Sequence, residues 1–185
     1  MCVAGMESVA VEVAADALWR IANNWTPKRN TYVEPTGKFT IGSRASTLRR
    51  LQGGSCNVCA KGALLLAAIE IKAAEGTKLV DGLRCETSLG DICIDGLRDV
   101  FKEEELDFIE RAFERWDAPF GTIDPAMHRD FAKEATPRRS LCAILRNIIA
   151  NNGRFLPRTG IHKEIGVVMQ RGKIVVTRRF SRRGK

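Results

Sequence analysis

The sequence predicts a mainly α-helical single domain with one short β element, a hairpin, near its C-terminus. Apolar residues recur at helical spacing in several segments. Ser, Thr, Gly and Asn stand where helix caps belong. Two β-branched runs flank a short polar turn in VVMQRGKIVV, residues 167–176. A length of 185 residues suits one core, and an aromatic share of only 6% makes that core aliphatic and alanine-rich. We read residues 1–157 as the helical domain and 158–185 as a basic extension holding the hairpin and a mobile end.

Taken in order, Ser8 caps a helix that runs to about Asn24, with Val9, Val13, Ala17 and Ile21 on one face. Trp25-Thr26-Pro27 stops it. Residues 26–42 read as loop, with a short strand at Lys38–Ile41. Ser43 caps a second helix through Leu51, closed by Gly53-Gly54. Ser55 then opens a helix to about Glu75. Residues 77–94 fit extended chain or loop equally. In EEELDFIERAFERW, Leu106, Ile109, Phe113 and Trp116 share a face, which leaves Glu103, Glu110 and Glu114 exposed. Glu103, Glu104 and Glu105 sit in the first turn, where the helix dipole favours acids. A short helix is expected around Met127–Lys133. Thr136-Pro137 starts the last helix, which ends at Asn151-Asn152-Gly153.

Charge is the clearest functional signal. The net charge is +8, but from Arg154 onward ten basic residues face one acid, an excess of +9. Residues 86–117 hold eleven acids and four bases. A basic tail of this kind points to an anionic partner: nucleic acid, a nucleotide or an acidic protein surface. Arginine dominates it, which favours phosphate or carboxylate recognition over simple solubility. Arg138 and Arg139 add two cations at a helix start, where backbone amides also attract anions. The binding residues expected are Arg138, Arg139, Arg171, Lys173, Arg178 and Arg179. Only Phe155 and Phe180 lie among the tail charges, so base stacking is poorly supported.

The six cysteines raise a second possibility. SCNVCAKGA places Cys56 and Cys59 three apart, and Cys85 and Cys93 would have to complete a metal site. Those two are not spaced as a second knuckle. A redox pair at a helix start is physically sound for Cys56, but redox folds of that kind place the pair after a strand. The core reading fits best: Cys56, Cys59, Ala60, Ala63, Leu64, Ala67 and Ala68 follow helical spacing and are small.

Three look-alikes fail on chemistry. DICIDGLRDVFK imitates a calcium loop, yet Lys102 stands where a bidentate Glu belongs. LPRTG, Leu156–Gly160, matches a sorting signal without the apolar span that must follow. His128, between Asp124 and Asp130, makes the only cluster of a histidine with several carboxylates, and in so polar a stretch it reads as surface. No phosphate loop, dinucleotide fingerprint or nucleophile elbow is present. We expect no cofactor, no catalysis and no membrane span.

SCNVCAKGALLLAAI and LCAILRNIIANNGRFLP together resemble segments of small uncharacterised proteins of tailed bacteriophages and prophages, with an LDFIERAFE-like helix between them. The resemblance covers residues 50–156 in blocks and carries over no catalytic residue. It implies a setting only, the cytoplasm of an infected bacterium; the role we expect there is a non-enzymatic accessory protein that binds and inhibits a bacterial host protein or sequesters a nucleotide ligand, with antiviral defence as one such target. Nucleic-acid binding through the basic tail is the alternative. A thiol- or metal-dependent enzyme is the third reading.

Overall fold

Ser8 accepts a hydrogen bond from the Val11 N–H and so starts helix α1, Val9–Asn23. The computed structural model describes residues 8–37, 42–71, 96–114, 131 and 136–178. The expected strand at 38–41, the ambiguous segment 77–94 and all but Phe131 of the expected helix near 127–133 lie outside them. So do the last residues of the basic extension, from 179 onward.

Beyond α1 the chain enters strand β1, Trp25–Pro27, and then strand β2, Val33–Pro35. Ser43 caps helix α2, Arg44–Gly53, as its position in the sequence asks. Strand β3, Cys56–Val58, follows and pairs with both earlier strands. Its neighbour β1 runs parallel to it, with Trp25 opposite Cys56, and β2 runs antiparallel, with Val33 opposite Val58. Pro27 and Pro35 fall on the two outer strands, where a missing N–H costs the ladder least.

This sheet overturns the mainly α expectation. The domain is mixed α/β, with a three-stranded sheet as well as the two-stranded hairpin. Each strand of the larger sheet is three residues long. That is too short for apolar–polar alternation to show in the sequence. Ser55 does not open the next helix. Helix α3 runs Ala60–Glu70, and its cap is Cys59, whose sulfur accepts from the Gly62 N–H at 3.4 Å. Cysteine is not among the usual capping residues, so the helical spacing of its small neighbours conceals the strand before it.

Helix α4, Glu103–Glu114, buries Leu106, Ile109 and Phe113 as its periodicity requires, and Trp116 lies outside the described residues. Glu103 is exposed, but Glu110 and Glu114 are half-buried. Glu110 takes a 2.6 Å bond from the buried Lys61 ammonium, and Glu114 accepts from the Asn30 N–H at 2.8 Å. Thr136 caps helix α5, Pro137–Ala150, with Pro137 in its first turn. Strands β4, Ile165–Gln170, and β5, Lys173–Arg178, form the expected hairpin around Arg171 and Gly172.

Helices α1 and α5 lie antiparallel at the centre. Ser8, before α1, bonds the Asn152 carbonyl at the end of α5, and Arg138, near the start of α5, bonds the Ala22 carbonyl near the end of α1. Helix α3 packs on α1, and α4 packs on α3 and α5. The hairpin lies across α1 and α5, with Ile165 sunk into the core. The α2 end is closed by side chains. Its Leu51 carbonyl accepts from the Trp25 indole at 3.2 Å, and its Gln52 carbonyl accepts from Arg20. Among the described residues no helix is long and apolar enough to cross a membrane.

Candidate functional site

The apolar positions of α5 face inward: Leu141, Ile144, Leu145 and Ile148 are buried. The same phase turns Arg138, Cys142 and Arg146 outward, one helical turn apart. Arg139 is exposed beside Arg138, and its N–H is held by the Thr136 cap. Two hollows flank this stripe, of about 350 and 520 Å³. Arg138, Cys142, Arg146 and Lys163 line both, and Arg139 lines the larger.

Two of the guanidinium groups are held in place by backbone carbonyls rather than by carboxylates. Arg138 donates to the Ala22 carbonyl at 3.2 Å, and Arg146 Nε donates to the Ile165 carbonyl at 2.9 Å. Each is oriented by these bonds, and among the described residues no carboxylate forms an ion pair with it. Among the described residues Glu164 is the one carboxylate in the lining, and it turns to His162 at 3.2 Å. A bond from its own backbone N–H holds its carboxyl below the usual range, with His162 and the charge of Arg178 adding to that. Burial pushes the Cys142 thiol up, against the pull of Arg146 and Arg138. The groove floor is therefore a neutral thiol, and the charge belongs to the cations around it.

The structure divides the sequence-expected residues. Arg138 and Arg139 belong to the groove, joined by Arg146 and Lys163. Arg178 stands opposite Ile165 in the hairpin register, close enough to act on Glu164. Arg171 and Lys173 sit at the other end of the hairpin. They are five register steps from Ile165, roughly 17 Å at the rise of a strand. Lys173 lines a different cleft of about 490 Å³, with Glu12, Asp16 and Glu70. The guanidinium in that cleft is fully engaged. Arg20 bonds Asp16 at 2.7 Å and the Gln52 carbonyl, and stacks over Trp25 at 5.5 Å. Arg179 lies outside the described residues.

No protein-family model, curated protein or solved structure matches the chain.

Among the described residues the cysteine pair has no donor set for a metal. Cys56 and Cys59 are buried, and burial pushes both thiols up to about 12. Each already has a hydrogen-bonding task, Cys56 toward the Leu51 carbonyl at 3.6 Å and Cys59 as the α3 cap. Cys85, Cys93 and His128 lie outside the described residues. Among the described residues, no three His, Cys, Asp or Glu side chains converge. Leu156–Gly160, the sorting look-alike, is wound into a short 3-10 turn at Pro157–Thr159. Asn147 holds that turn, donating to the Leu156 and Gly160 carbonyls at 2.9 Å.

Sequence reasoning did not group Arg146 with Lys163. They are seventeen positions apart, and only the return of the chain over α5 brings them together. The helical step from Arg138 to Cys142 to Arg146 was the one signal available.

Proposed function

We propose that the protein is a non-catalytic binding protein whose α5 groove takes a compact phosphate-bearing ligand of the nucleotide class. One observation carries this reading. Arg138, Arg139, Arg146 and Lys163 line one concave surface, and none has an ion-pair partner among the described residues. Cations gathered in a hollow repel one another, and a bound anion relieves that repulsion. Hollows of this size fall in the small-molecule range of roughly 300–1,000 Å³. Among the described residues neither has an aromatic side chain in its lining, which argues against base-stacked single strands. The resemblance of the core segments to small phage proteins supports a setting in a bacterial host cytoplasm. There the protein would sequester a nucleotide signal or block a host factor that carries phosphate.

Calorimetric titration with pyrophosphate, ADP and a short DNA duplex tests this reading. Pyrophosphate and ADP should bind saturably. Arg139→Glu with Lys163→Glu should weaken them at least about tenfold, because two cations become anions, while the melting temperature stays put. Failure of both small anions to bind overturns the proposal. Tighter duplex binding that ignores sequence and falls steeply with salt does so in favour of a nucleic-acid ligand.

A further inference from the structure

We infer that β5 is an open sheet edge that receives an extended acidic segment of a partner protein, at a second interface separate from the α5 groove. The turn comes first. Arg171 and Gly172 both have positive φ, 50° and 76°, the conformation of a two-residue hairpin turn that follows the strand twist. In such a hairpin the closing pair, Gln170 and Lys173, exchanges hydrogen bonds, and pairs then alternate along the ladder. Val168–Val175 and Gly166–Thr177 are bonded inward. The backbone groups of Ile174, Val176 and Arg178 therefore point away from β4. No backbone bond reaches them from the described residues outside the hairpin. The opposite edge is treated differently, because Arg146 fills the Ile165 carbonyl on β4.

The side chains around this edge name the partner. Val175 on β5 is 37% exposed, and Val168 faces it across the ladder at 38%, on the strand that also borders the smaller groove hollow. They offer an apolar strip to the side chains of an added strand. Arg171 and Lys173 stand at one end of β5 and Arg178 at the other, all exposed, and no described carboxylate lies within ion-pair distance of any of them. A second copy of this hairpin would bring like charges together, and basic residues on edges commonly prevent such self-pairing. An acidic strand with apolar residues between its charges satisfies the open N–H and C=O groups, covers the valines and pairs the cations. Backbone bonds would supply affinity, and the end charges direction and rate. This gives Arg171 and Lys173 a task that their distance from the α5 groove otherwise denies them, while Arg178 stands where β5 passes the groove.

The probe is an eight-residue peptide with glutamates at both ends and alternating threonine and valine between them. Its control has lysines in place of the glutamates. The acidic peptide should bind the full chain and slow hydrogen exchange at the Ile174, Val176 and Arg178 amides. Val176→Pro removes an outward donor while sparing the ladder, and should abolish binding. Lys173→Glu with Arg178→Glu keeps the backbone intact and should weaken binding about tenfold or more at low salt. Arg139→Glu with Lys163→Glu should leave it unchanged, which separates this interface from the groove. The inference is overturned if the lysine peptide binds as well, if exchange at those three amides is unaffected, or if sedimentation shows a dimer that Val176→Pro dissolves.

Discussion

A Cβ atom at Gly62 would lie 2.1 Å from the Tyr32 carbonyl oxygen, well inside contact distance. That oxygen also accepts the Cys59 N–H at 3.1 Å, so it cannot easily retreat. Helix propensity alone favours alanine there by about 1 kcal/mol. We expect Gly62→Ala to destabilise nonetheless, by about 1–3 kcal/mol, because overpacking wins; urea denaturation measures the difference. Asn147 is fully buried and ties α5 to the following turn through both amide atoms. Asn147→Ala should cost about 2–4 kcal/mol by the same measurement, since several partly buried backbone groups lose their partner at once. Asp16 sets a pH dependence. Burial pushes its carboxyl up from 3.8, outweighing the bond and charge of Arg20. A raised carboxyl binds its proton more tightly in the folded chain, so its contribution to stability grows as pH falls toward 3.8. The stability of the wild type relative to Asp16→Asn should rise over that window, as followed by denaturation at stepped pH. A relative stability that falls instead would mean that the Arg20 bond dominates.

Elements were legible where caps and period agreed. Ser8, Ser43 and Thr136 cap α1, α2 and α5, and the face of α4 was readable from Leu106, Ile109 and Phe113. Phe113 is fully buried, with Arg29 over its ring at 5.6 Å. Phe113→Ala should lose about 3–5 kcal/mol, seen as a lower denaturation midpoint. The three-residue strands were not legible, because a sheet of that size is specified by partners distant in sequence rather than by local pattern. Glu110 and Glu114 misled for a similar reason. Their positions on the helix wheel say outward, but Lys61 and Asn30 come from other elements to meet them. The site was half readable. Arg138 and Arg139 announced themselves at a helix start, whereas Lys163 joins them only through the path of the chain after α5.

Across the whole molecule, the basic extension has two attachments of different kinds. Its first residues are fixed by Asn147, and its hairpin is laid over α1 and α5 with Ile165 as the buried contact. A chain cut after Ile161 keeps the Leu156, Thr159 and Gly160 partners of Asn147. We expect it to unfold cooperatively at a lower temperature, and to lose the acidic-peptide binding proposed for β5. A cut after Phe155 removes those partners too and should lower the transition further, as circular dichroism melting would show. Equal melting of the two would assign no stability to the Asn147 contacts.

The antiparallel pairing of α1 with α5 also bears on how the chain is made. Ser8 meets Asn152 across 144 positions, and Gly153, at φ 92°, leaves room where a Cβ would strike the Ser8 hydroxyl. The ribosome therefore releases α1 long before its partner exists. At roughly 5–20 residues per second, the apolar face of α1 waits on the order of ten seconds for α5 to emerge. During that interval Val13, Ala14, Ala17 and Ile21, all buried in the finished fold, depend on α3 or on cellular chaperones for cover. The central contact between α1 and α5 thus becomes possible only after α1, α2, α3 and α4 have all been made.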